Sequence, residues 1–262
     1  MVPPNSRVAA LAVVMVMLGG IPAWAQGEIV SWRVSGTTRQ ALVYAPATAR
    51  SSASPLVLSF HGHGDDMENF QHTNIHTAWP EAVVVYFNGL PSSRDGYRGW
   101  QTEPGQDEDR DLALVDLAIA TLSQRFRIDS TRIYATGFSN GANFTYLLWA
   151  TRPHVFAAFG PVAARLRPTV ALKRPKPVMH VGGLQDRQIR WNDQQAAIEG
   201  AKRANGVDAT GHACGEGCTR FRSGDGNDVM TWVHQGGHEY PAATSKKLAD
   251  FFRQHRLPTT TP

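Results

Sequence analysis

Arg132-Ile133-Tyr134-Ala135-Thr136-Gly137-Phe138-Ser139-Asn140-Gly141 is the stretch that decides the reading of this chain. Its first five residues form a β-type run, and residues 142–150 form a helix-compatible one. Between them lies Gly-x-Ser-x-Gly, the pattern of a nucleophile elbow. A serine on so sharp a turn has a strained backbone. Side chains two residues before and after it would collide there, so both positions need glycine. The helix that follows aims its first N–H groups at the point where negative charge develops in acyl transfer.

Outward from this turn the chain alternates. Residues 29–34 and 40–44 read as an opening strand pair. Residues 56–60 and 82–87 are apolar strands of the kind buried on both faces. Residues 109–126 are helical, with Leu112, Val115, Ile119 and Leu122 at helical spacing. Downstream, 156–163, 178–181 and 229–234 read as strands, and 192–204 and 242–255 as helices. The alternation predicts an α/β fold, a mostly parallel doubly wound sheet with helices on both faces. No internal repeat or linker suggests a second domain. Residues 26–257 are expected to form one catalytic domain, and the Thr/Pro tail 258–262 to be disordered.

Residues 1–25 have the organisation of an export signal. Arg7 supplies charge, Val8 to Leu18 is unbroken and apolar, and Ala23-Trp24-Ala25 gives a small-x-small cleavage site. The apolar run is shorter than the roughly 20 residues a membrane span needs. The expectation is cleavage near Ala25 and secretion to the periplasm or the medium, without stable membrane insertion. The formal net charge of +4 comes with no basic block and no aromatic-basic interleaving, so nucleic acid is not an expected partner. The two cysteines, Cys214 and Cys218, are expected to pair in an exported protein. Cys-x3-Cys lacks a second ligand pair, which argues against a metal site.

A serine hydroxyl needs a base to take its proton, and the base needs an orienting acid. In folds built around this elbow the order is Ser, acid, His. Asp186 stands in the exit loop of strand 178–181; the rival Asp193 falls where the next helix begins, the usual place of a helix-end stabiliser. His238 stands in the loop beyond strand 229–234, whereas His234 ends the strand itself. An oxyanion hole needs two backbone donors. Asn140, next to the nucleophile, offers one. His63, in the His61-Gly62-His63-Gly64 loop after strand 56–60, offers the other, with His61 pinning that loop. His61 and His63 as zinc ligands are the competing reading, but a third ligand is not evident.

Four segments together resemble one family. They are the His61-Gly62-His63-Gly64 loop, residues 129–141, residues 156–163, and Gly236-Gly237-His238-Glu239-Tyr240-Pro241. The chain resembles the secreted poly(3-hydroxybutyrate) depolymerase-like and feruloyl-esterase-like enzymes of the α/β-hydrolase superfamily. The last segment resembles that family's Gly-Gly-His-x-Trp-Pro, with Tyr240 in place of Trp. The acid loop reads Gly182-Gly183-Leu184-Gln185-Asp186 where such esterases commonly have His-Gly-x-x-Asp.

The resemblance implies a Ser139–His238–Asp186 triad, hydrolysis of hydroxycinnamate or hydroxyalkanoate esters through an acyl-enzyme, and no cofactor. The substrate is expected to be a small or oligomeric ester. Two alternatives stand beside it: a prolyl-oligopeptidase-like peptidase, and a non-catalytic wall- or carbohydrate-binding protein on the same fold. Trp100, Trp191 and Tyr240 are expected to line the cleft mouth and bind substrate. Beside the triad residues in sequence only Arg187 is basic, so no dedicated anion clamp is expected.

Overall fold

A computed structural model describes residues 27–92 and 95–258. The export-signal segment and the last four residues lie outside the described residues. A ten-stranded sheet organises the rest, in the order β1-β2-β4-β3-β7-β8-β9-β12-β11-β10. The strands are β1 (Glu28–Val34), β2 (Thr37–Tyr44), β3 (Ser54–Phe60), β4 (Val83–Phe87), β7 (Ile128–Phe138), β8 (Ala158–Val162), β9 (Val178–Gly183), β10 (His212–Gly215), β11 (Cys218–Phe221) and β12 (Val229–His234). A small separate ribbon pairs β5 (Leu90–Pro91) with β6 (Arg98–Gly99).

From β4 through β3, β7, β8 and β9 to β12 the pairing is parallel. Antiparallel strands close both flanks: β1 and β2 on one, β11 and β10 on the other. The helices are α1 (Met67–Phe70), α2 (Ile75–Ala78), α3 (Arg110–Arg125), α4 (Asn140–Thr151), α5 (Trp191–Asn205) and α6 (Thr244–Phe252).

The period of two along the central strands divides the core. Leu56, Leu58 and Phe60 of β3 and Val83, Val85 and Phe87 of β4 face α3, α4 and α5. Val57, Val84 and Tyr86 face the layer formed by α1, α2 and α6. Strands buried on both faces must be apolar at nearly every position, and β3 and β4 are buried throughout.

The doubly wound sheet expected from the alternation is present, with differences at its edges. The elbow strand is longer than residues 132–136, because β7 starts at Ile128. The helix after the elbow starts at Asn140 rather than at residue 142. The β10–β11 hairpin is an element that the hydrophobic pattern does not announce, since its residues are exposed or half-buried and do not alternate. Cys214 and Cys218 are joined across it. Gly217 has φ +66, and a Cβ there would lie 2.5 Å from Val233 O, so the hairpin turn presses directly on β12. Among the described residues no helix is long and apolar enough to cross a membrane.

The parallel strands place the chemistry. His61 follows β3, Ser139 follows β7, Asp186 follows β9 and His238 follows β12, all at the carboxyl ends of the strands, where such sheets form their crevice.

Candidate active site

Ser139 has φ 54 and ψ −114, a conformation that L-residues avoid. The neighbouring backbone enforces it. A Cβ at Gly137 would lie 2.5 Å from the carbonyl carbon of Gly141, and one at Gly141 would lie 2.2 Å from Phe60 O. Those two glycines are therefore required by contact with each other and with β3. The Ser139 amide donates to Val162 O at 2.9 Å, which ties the turn to β8 as well.

His238 Nε2 and Ser139 Oγ are 2.9 Å apart, and His238 Nδ1 lies 2.8 Å from Asp186 Oδ2. Phe138 packs on the imidazole, with ring centroids 4.8 Å apart. The Asp186 carboxylate is fully covered by donors. Its Oδ1 accepts from the amides of Gln188 (2.8 Å) and Ile189 (2.9 Å), and its Oδ2 also accepts from Gln194 Nε2 at 3.0 Å. Four donors satisfy the buried carboxylate and fix its direction. Asp193 sits exposed in the first turn of α5, and His234 Nδ1 accepts from the Gly236 amide.

Behind the acid the hydrogen bonds continue into the core. Gln194 Oε1 lies 3.4 Å from His180 Nε2, and His180 Nδ1 lies 2.9 Å from the Tyr146 hydroxyl. Since the Gln194 amide nitrogen is spent on Asp186 and Ile189 O, its oxygen must accept from His180. His180 Nδ1 then accepts from Tyr146. The whole series donates one way towards Asp186 and requires neutral His180. Burial supplies that by pushing its pKa down to about 4.

Gly182 explains the unusual acid loop: a Cβ there would lie 2.3 Å from Gln194 Oε1. A Cβ at Gly183 would strike Gly237 O at 2.5 Å, where the acid loop and the base loop touch. Gln194 and His180 carry no sequence motif. Their spacing from Asp186 could have been noticed only with the strand-helix pairing in hand.

The loop after β3 is pinned by His61. Its Nε2 accepts from the Gly89 amide at 2.9 Å, so Nδ1 carries the proton and meets Gly62 O at 2.6 Å. Burial lowers its pKa, which suits the neutral ring. Both ring nitrogens are thus engaged within the fold. His63 is exposed, with Nε2 3.3 Å from Asp95. Among the described residues neither the His63 amide nor the Asn140 amide donates to another group.

Trp191 departs from the expected cleft-mouth placement, while Trp100 lines the cleft beside Ser139 with its ring turned inward. Trp100 is only 4 % exposed. Its ring packs between Phe60 and Phe144, and its Nε1 donates to His61 O at 2.9 Å. It braces the floor beneath the elbow because a large apolar ring there gains more from burial than from solvent. Trp191 is half-buried against the core behind the acid loop and lines neither cleft beside the site. Tyr240 does stand in a wall. It joins Phe70 and Phe138 in an apolar cleft of about 740 Å³, and its hydroxyl is fixed by Ser245. A second cleft, of about 640 Å³, is lined by Ser139, Asn140 and His63 and is mostly polar.

Residues 39–168 match the family described as Esterase PHB depolymerase. A bifunctional acetylxylan esterase/xylanase of Neocallimastix patriciarum is 30% identical over 64% of this chain, and feruloyl esterase B of Piromyces equi is 24% identical over 53%. This chain spans only 24% and 27% of those two proteins. Among solved structures, acetyl xylan esterase from Aspergillus awamori superposes with TM-score 0.67 at 15% identity, covering 87% of this chain and 99% of that one. The feruloyl esterase module from Clostridium thermocellum gives 0.58 at 14%, covering 88% of each. These two likenesses establish the α/β-hydrolase fold. The elbow and the His61–Gly64 loop both lie inside the segment, residues 39–168, that matches the PHB-depolymerase esterase family.

Proposed function

We propose that this protein is an exported serine carboxylic-ester hydrolase. The observation that carries the reading is the hydrogen-bonded series from Ser139 Oγ through His238 to Asp186. His238 takes the Ser139 proton as Oγ attacks the ester carbonyl. The amides of Asn140 and His63 hold the oxyanion. His238 then protonates the leaving alkoxide, and water activated by the same imidazole releases the acid. Asp186 keeps Nδ1 protonated and stabilises the imidazolium.

Hydroxycinnamate and hydroxyalkanoate esters are the proposed substrate classes. The name of the Piromyces relative supports the first, the description of the matching family supports the second, and the apolar cleft of Phe70, Phe138 and Tyr240 suits both. Residues 26–257 are proposed to act as one catalytic unit. Export is supported by the pattern of residues 1–25 and by the Cys214–Cys218 bond, which suits an oxidising compartment. A panel of soluble methyl ferulate, acetate and 3-hydroxybutyrate oligomer esters, run beside chromogenic peptides, tests the reading. Ester turnover without peptide turnover is expected; the reverse would favour a peptidase.

A further inference from the structure

The polar cleft beside Ser139 collects side chains that no single stretch of sequence supplies. Arg110 comes from α3, and Arg165 and Arg167 come from the segment after β8. Glu103 and Asp107 oppose them. Among the described residues, these three guanidinium groups are met by only two carboxylates. Glu103 is already engaged, accepting from Thr169 Oγ1 at 2.8 Å and lying 3.9 Å from Arg167 Nε. Asp107 lies 3.9 Å from Arg110.

Arg165 has no carboxylate partner among the described residues, and its Nη2 makes one long contact, 3.5 Å, with Gln188 O. The Nε atoms of Arg167 and Arg110 are buried without a hydrogen-bond acceptor. Their carboxylate neighbours, at 3.9 Å, lie beyond hydrogen-bond distance, so Arg110 and Arg167 keep positive charge and donor capacity that a ligand in the cleft can use.

The position of Arg165 is built, not incidental. Its amide donates to Asn143 Oδ1 at 2.9 Å, and Asn143 lies one turn of α4 beyond Ser139. Ala163, at φ 53, turns the chain leaving β8. The Ser139 amide holds the end of β8 itself. Arg165 is therefore fixed in relation to the serine through α4 and β8 alike.

We propose that Arg165, with Arg167, binds a carboxylate carried by the ester substrate at a distance from the scissile bond. Guanidinium groups suit that ligand because they offer paired N–H donors in the plane of a carboxylate. The inference rests on Ser139 as nucleophile and narrows the substrate class. It favours esters with a free acid at the far end, such as hydroxyalkanoate oligomers, over neutral hydroxycinnamate esters.

Matched probes test it. On the acyl side they are mono-4-nitrophenyl glutarate and 4-nitrophenyl pentanoate; on the alcohol side they are 4-acetoxybenzoate and 4-acetoxybenzamide. For at least one pair the anionic member should have a kcat/KM at least about tenfold higher, mainly through KM and weakening with added salt. In Arg165→Gln, and further in Arg165→Gln/Arg167→Gln, the anionic-to-neutral ratio should fall towards one. Glutarate should also inhibit the wild-type enzyme more strongly than glutaramide does, a readout that needs no variant to fold. No anionic advantage in either pair, or an advantage that survives the double substitution, would overturn the proposal. Absence of turnover on all four esters would instead remove the serine-esterase reading beneath it.

Discussion

Asn140 grips the main chain of Trp100 with both ends of its amide. Its Oδ1 accepts from the Trp100 N–H at 2.7 Å, and its Nδ2 donates to the Trp100 carbonyl at 3.1 Å. The residue proposed as an oxyanion donor through its backbone thus uses its side chain to clamp the facing loop. Trp100 in turn donates to His61 O, so elbow, loop and floor are one unit. Gly99 is small at that point because a Cβ would approach Asn140 Oδ1 to 2.9 Å.

Asn140→Ala keeps the backbone donor and removes the clamp, leaving two buried groups of Trp100 unpaired. The expected loss is about 1–3 kcal/mol. For a domain of this size that lowers the melting temperature by roughly 2–4 °C per kcal/mol. Turnover should fall as the loop loosens. Thermal unfolding and ester kinetics matching the unsubstituted protein would show the clamp to be idle.

Gln194 tests the network behind the acid. Gln194→Leu removes a hydrogen bond to a charged carboxylate, worth about 1.5–3 kcal/mol, and should cut kcat by about tenfold or more. Gln194→Glu sets a second carboxylate near Asp186, where the amide nitrogen now lies 3.0 Å away. Like charges raise the pKa of the pair. The acidic limb of the kcat/KM profile should therefore move to higher pH. A residue that only filled space would lower stability in both variants and leave that limb in place.

His180 makes the fold sensitive to acid. Its folded pKa, lowered to about 4 by burial, lies below the ordinary value of 6.5. The neutral form is favoured in the native state, so this contribution is complete above pH 6.5 and is lost as pH falls towards 4. Between pH 7 and pH 5 the loss is about 2 kcal/mol. Urea unfolding at the two pH values should show a shallower pH dependence, by about that amount, in His180→Gln. An equal dependence in both proteins would place the titration elsewhere.

The elements readable in the sequence were those dictated by short-range geometry. Gly137 and Gly141 are forced by backbone contact within the turn, and Asp186 and His238 follow from the rule that loops leave parallel strands at one end. Other features depend on how distant segments meet. Arg110, Arg165 and Arg167 share a cleft only after α3 and the β8 exit fold against each other, which is why an anion site was not expected from neighbours of the triad. Trp100 looked like a rim aromatic because it follows a Gly/Ser-rich loop; the apolar surface of Phe60 and Phe144 draws it inward. The β10–β11 hairpin escaped because a short exposed ribbon needs no apolar alternation. Its cysteines were the one visible sign.

The Cys214–Cys218 bond closes so short a loop that the chain-entropy model gives only about 2 kcal/mol. Replacing both cysteines with Ser should lower stability by that order and raise hydrogen exchange in the β10–β11 hairpin and at Val233, whose amide donates to Gly217 O at 2.8 Å. The parallel strands should exchange as before. Exchange rising across β3 and β7 would contradict this local role.

The central claim is that Ser139 becomes acylated. Treatment of the purified protein with a fluorophosphonate ester, followed by peptide mass spectrometry, tests it most directly. One adduct is expected, on Ser139. The Ser139→Ala protein should unfold at the same temperature, take up no label and lose about 10⁴- to 10⁶-fold in turnover. An adduct on another residue, or a Ser139→Ala protein that hydrolyses esters at the original rate, would contradict the account.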